Sequence, residues 1–104
     1  MTRPANPVRG ETTLAVAGTE HVLRPSFESL VAAEEELGSL FALVERASEG
    51  ALTLREMRAL LWHCMAAESR PSREAVGEAL LETGLVAATR PVRAILAQVI
   101  QGGG

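Results

Sequence analysis

Lysine, aspartate and tyrosine are absent from this 104-residue sequence, cysteine and tryptophan occur once each, and phenylalanine occurs twice. Without lysine there is no Schiff-base amine and no P-loop lysine for a phosphate; without aspartate there is no EF-hand loop and no Asp-centred acid–base pair. One thiol, Cys64, can neither close an internal disulfide nor complete a structural zinc site, so stability has to come from packing. No apolar run approaches the roughly 20 residues of a membrane-spanning helix. Residues 1–7 lead into no apolar stretch of the secretory-signal kind. The expectation is a protein that stays in the cytoplasm of the cell that makes it and has no membrane partner.

What is present is uniform in kind. All ten basic residues are arginine and all thirteen acidic ones are glutamate, for a net charge of −3. That balance weighs against non-specific nucleic-acid binding, which requires a basic stripe to neutralise phosphates. With 47% apolar residues the chain is ordinary for a globular protein, and its length suffices for one core but not two.

Pro4, Asn6-Pro7 and Gly10 make residues 1–10 an extended lead-in. Thr12, Leu14 and Val16 then alternate with Thr13 and Ala15. A turn at Ala17-Gly18-Thr19-Glu20 and a second β-favouring run at 21–24 complete a predicted β-hairpin over 11–24. Two strands alone are marginal in water, so the apolar face of the hairpin must lie on helices or against another chain.

Beyond Pro25 the apolar spacing becomes helical. Ser26 caps a helix over about 26–37 that uses Phe27, Leu30, Val31 and Leu37, and Ser39 caps one over 39–48 with Leu40, Leu43, Val44 and Ala47. Thr53-Leu54-Arg55-Glu56 is a capping box opening a helix over 53–69, with Leu54, Met57, Leu61, Cys64 and Met65 on one stripe. Ser72 caps 72–83, which carries Val76, Leu80 and Leu81, ends at Gly84, and has Gly77 inside it as a mark of close helix contact. The last helix is expected over 89–101 with Pro91 in its first turn, and Gly102 to Gly104 form a flexible tail. The fold class expected is α+β, mostly helical: one domain over 11–101, with an N-terminal β-hairpin packed on about five short helices.

No catalytic constellation emerges. His63 and Cys64 are neighbours, and a regular helix turns them about 100° apart, too far to chelate one ion; Cys64 reads as a core thiol and His63 as lying on a wetter face. His21 has no relay partner in the sequence, and Ser26, Ser39 and Ser72 are better explained as caps than as nucleophiles. Glu34-Glu35-Glu36 point in three directions and read as a solvated face. There is no GxxxxGK[ST] and no GxGxxG. No enzyme, cofactor or metal site is expected.

Trp62 lies about 130° from the centre of the apolar stripe on its helix, beside Arg55 and Arg58. Two readings stay open. The hairpin or another helix covers this side with Arg58 over the indole, or Trp62 faces a partner, since tryptophan and arginine are enriched among residues that dominate interfaces. The candidate partner-binding residues are therefore Arg55, Arg58 and Trp62 on the helix, with Thr13 and Ala15 at the hairpin edge.

Several phrases, taken in order, resemble the tail-protein family encoded by gene transfer agents and related tailed phages. They are Asn6-Pro7-Val8-Arg9-Gly10-Glu11 before a strand, Gly18 in the hairpin turn, Leu23-Arg24-Pro25-Ser26-Phe27, Glu34-Glu35-Glu36-Leu37-Gly38-Ser39-Leu40, the 46–50 segment before Leu52, and 78–85 with Gly84. The resemblance runs from about Pro7 to Ile100. It implies a non-enzymatic interaction protein in building a phage-like tail, of the tail-tube-associated or tail assembly chaperone type. A tape-measure or major tail protein would be the partner, self-association is compatible, and no catalytic residues carry over. The chaperone form is preferred because a two-strand hairpin offers little sheet for a tube wall; a permanent tail or tail-tube subunit is the alternative, in which case the protein would reside in the particle tail. A reading of another class is a small regulatory nucleic-acid-binding module, based on Arg70, Arg73, Arg90 and Arg93 near helix starts, where a cation opposes the helix dipole unless an anion accompanies it.

Overall fold

The computed structural model describes residues 11–101. The lead-in expected at 1–10 and the tail expected at 102–104 lie outside the described residues. The architecture is α+β and mostly helical, an N-terminal antiparallel hairpin followed by five α-helices.

Strands β1 (Thr12–Val16) and β2 (Thr19–Leu23) pair with Thr12 opposite Leu23 and Val16 opposite Thr19. The turn is tighter than the sequence suggests, because only Ala17 and Gly18 lie outside the strands. Their φ values of 51° and 82° are both positive, as a two-residue hairpin loop of the primed type requires to match the twist of its strands. Gly18 meets that requirement without strain; Ala17 meets it with a Cβ that disfavours it. Leu14, Val16 and Leu23 are buried while Ala15 and Glu20 are exposed, the alternation of a sheet with one face on a core.

Helices α1 (Phe27–Leu37), α2 (Leu40–Ser48), α3 (Leu54–His63) and α4 (Arg73–Thr83) each start at a capping side chain. Ser26, Ser39 and Ser72 accept from the amides of Ser29, Ala42 and Ala75. Thr53 and Glu56 form the reciprocal capping box. Burial follows the 3.6-residue period most clearly on α3, where Met57, Leu60, Leu61 and Ala59 are enclosed. α3 packs against α1 and α4, and β1 packs on α4 and α5 (Leu85–Gln101). The core thus joins Leu14, Val16 and Leu23 of the hairpin to Leu60, Leu61, Val76, Leu80, Val92 and Ile95.

Two helix limits differ from those the spacing predicts. α3 stops at His63 rather than near Ser69, because the chain beyond it is claimed by the hairpin. Met65 bridges to Leu23, the Arg24 amide donates to the Cys64 carbonyl at 2.9 Å, and a single 3-10 turn, Ala67–Ser69, follows. α5 begins at Leu85, directly after Gly84, so Pro91 sits inside the helix and not in its first turn. The buried Ala88 explains the earlier start: its amide bonds the Gly84 carbonyl at 2.9 Å, and its methyl belongs to the core.

The apolar assignments also shift. On α1 the enclosed residue is Ala33, with Leu30 and Leu37 partly covered, whereas Phe27 is 82% exposed and Val31 also faces solvent. Leu54 and Leu81, placed by their spacing on core stripes, are 48% and 68% exposed.

Candidate functional site

α3 and α4 run side by side in opposite directions. The pairing is fixed at two points: the Trp62 Nε1–H donates to the Pro71 carbonyl at 2.9 Å, just before α4, and a Cβ built on Gly77 would stand 3.4 Å from Arg58 Cδ. Gly77 is therefore where the Arg58 stem lies across α4, the close helix contact that its position inside the helix suggests. Farther along the same seam, Leu54, Arg55, Arg58, Glu74, Gly77, Glu78 and Leu81 line an open groove of about 530 Å³.

Trp62 is half-buried and enclosed. The guanidinium carbons of Arg70 and Arg73 both stand 4.2 Å from its ring centroid, and the His63 ring meets it edge-on at 4.9 Å. Arg58, expected over the indole, instead rests on Gly77. Trp62 shares the α3 face with Arg55 and Arg58, but its ring is occupied by arginines of its own chain.

Those two arginines are themselves fixed. Arg70 Nη2 donates to the carbonyls of Met65 and His63, at 2.9 and 3.2 Å, and so satisfies acceptors left over at the end of α3. Arg73 grips the Glu36 carboxylate with two hydrogen bonds of 2.7 and 2.8 Å. His63 is buried rather than on a wetter face, and its Nε2 lies 2.8 Å from Glu36 Oε1. Glu36 is thus no solvated bystander: it ties α1 to α3 and α4. The hydrogen bonds from Arg73 and then His63 hold its carboxyl down at about 2. It is also the anion that a cation at the start of α4 calls for, so Arg73 needs no nucleic-acid phosphate.

Cys64 is enclosed in the core, and burial pushes its thiol up to about 12 despite the neighbouring Arg70, the state of an inert structural cysteine. Arg46 pairs with Glu56, which the Thr53 amide holds below the usual carboxylate range.

The second candidate surface is the hairpin edge. The Val16–Thr19 pair closes the two-residue turn with hydrogen bonds, and alternation makes Leu14–His21 and Thr12–Leu23 the next bonded pairs. The backbone N–H and C=O of Thr13 and Ala15 therefore point away from β2. Arg24 follows the same parity on β2, and its amide indeed bonds outward, to Cys64. The edge of β2 is thus closed at its end by the chain leaving α3. Among the described residues no strand pairs with the outer edge of β1.

Of the residues singled out from sequence, the structure brings Arg55, Arg58 and Trp62 along one seam and sets Thr13 and Ala15 on the β1 edge. Sequence reasoning missed the other wall of the seam. Glu74 and Glu78, four apart on one helix with Gly77 between them, are the signal that would have found it. It also missed an apolar groove of about 610 Å³ between α2 and α5, lined by Val44, Leu52, Leu96 and Ile100 with Arg93 at its side.

Residues 9–102 of the chain match a family model described as phage tail tube protein, GTA-gp10. Neither the curated proteins nor the solved structures give a match.

Proposed function

The chain belongs to the phage tail tube protein family GTA-gp10, and from that premise we propose that it is a non-enzymatic interaction protein of phage-like tail morphogenesis, acting as a tail assembly chaperone. The observation that carries the reading is the outer edge of β1. Two five-residue strands on a helical layer offer too little sheet to form a tube wall, but one edge with outward amides and carbonyls at Thr13 and Ala15 is a template for an added strand. An extended segment of a tail component, the tape-measure protein or the major tail protein, docks there and is released when the tail closes. A chaperone of this kind works in the cytoplasm of the producing bacterium and does not stay in the particle.

Ala15→Pro tests the edge. Proline removes an amide that the hairpin does not use in its own ladder, so the hairpin survives, while strand addition loses a hydrogen bond and meets the ring. In pull-downs with the tape-measure and major tail proteins, the native chain is expected to retain one of them and the folded Ala15→Pro chain to lose it. Retention by neither native pairing, or equal retention by the variant, would overturn the reading.

The family description itself favours a second reading, a permanent tail-tube subunit. Mass spectrometry of purified particles separates the two: a chaperone is missing from finished tails and a subunit is present in them.

A further inference from the structure

We infer that the α3–α4 seam is the contact surface for a second copy of this chain. The seam carries two arginines on one wall, Arg55 and Arg58, and two glutamates on the other, Glu74 and Glu78. None of the four makes an ion pair within 4.0 Å among the described residues, whereas Arg24, Arg46 and Arg73 are each closed on a glutamate of their own chain. The Arg58 Nε is buried with no hydrogen-bond partner. Beside these charges stand Leu54 and Leu81, both largely exposed at the same end of the seam.

This pattern is complementary to itself. A twofold axis running along the seam lays α3 of each copy on α4 of the other, at the same height. Arg55 and Arg58 then meet the second copy's Glu74 and Glu78, Leu54 meets the second copy's Leu81, and each contact occurs twice, as an isologous interface requires. A partner of single charge would satisfy only one wall. The groove between α2 and α5 lacks this property, because Arg93 is the only charged residue lining it and would meet its own copy. The dimer does not depend on which tail component the protein serves, and it leaves the β1 edge free.

Charge exchange at Arg55 and Glu78, both exposed, tests the contact on the full chain by sedimentation velocity and light scattering, with circular dichroism confirming the fold of each variant. The native protein is expected to dimerise reversibly from its 11.0 kDa monomer, more weakly as salt rises. Arg55→Glu alone sets glutamate against glutamate twice, and Glu78→Arg alone sets arginine against arginine twice. Each is expected to weaken the dimer by on the order of a hundredfold. Mixing the two single variants restores both pairs in a heterodimer, and the double variant R55E/E78R restores them in a homodimer. A native chain that remains monomeric at its highest soluble concentration overturns the inference. So does a dimer indifferent to both single changes, or single-variant losses that neither the mixture nor the double variant recovers. A monomeric result would leave the pull-down of a tail protein unaffected, so the two proposals fail separately.

Discussion

At the scale of single residues, Glu36 joins three helices. One carboxylate on α1 receives two hydrogen bonds from Arg73 on α4 and lies against His63 on α3. Its pKa is lowered in the folded chain from the ordinary 4.5 to about 2, so the sign is that of a depressed acid. The stability it contributes is complete above pH 4.5 and is lost as pH falls towards 2. Glu36→Gln is expected to reduce stability at neutral pH and to flatten the acid limb. Urea melts repeated down the pH scale should show the two proteins converging as pH approaches 2, and parallel curves would exclude this role.

At the scale of elements, the hairpin turn holds an avoidable cost. Ala17 occupies a left-handed conformation that costs an L-residue with a Cβ roughly 1–2 kcal/mol, and Asn-Gly is the pair that a primed two-residue turn prefers. Ala17→Asn is therefore expected to stabilise the protein by about 1 kcal/mol, read as a higher urea midpoint with an unchanged slope. No gain would mean that the turn is held by the packing of Leu14 and Val16 rather than by its own chemistry.

The same scale shows how far local sequence reached. Hairpin, helix number and caps were legible because each rests on neighbours in the chain: the serine or threonine before each of the first four helices, the alternation at Leu14 and Val16, and the box of Thr53 and Glu56. The end of α3 was not legible, because it is set by Leu23 and Arg24, some forty residues upstream, bonding to Met65 and Cys64. The start of α5 was misread because proline is compatible with a first turn, and nothing local reveals that Ala88 is a core residue. Of the candidate site, the arginine wall was visible as Arg55, Arg58 and Trp62 on one helix face. Its opposing glutamates, the cover on Trp62, and the exposure of Leu54 and Leu81 depend on how α4 lies against α3, which periodicity does not encode.

At the scale of the whole molecule, α3 is the element the others share. It packs on α1, α4 and α5, and the chain leaving it closes β2. Leu60 is wholly enclosed in its middle. Leu60→Ala is expected to cost about 2–5 kcal/mol, the range for truncating an enclosed leucine, against a typical total of roughly 5–15 kcal/mol for a domain. Chemical denaturation followed by circular dichroism should show one cooperative transition at a lower midpoint. A cost below about 1 kcal/mol would mean that the layers close around the gap and that α3 is not central.

Trp62 is the only tryptophan in the chain, and it sits where α1, α3 and α4 converge, under Arg73 from the helix that forms one wall of the seam. Its ultraviolet emission is therefore a built-in, single-site optical reporter. The colour and quenching of that one fluorophore register any event that moves Arg70 or Arg73, so loosening of α4 from α1 and α3 can be followed in real time and without a dye.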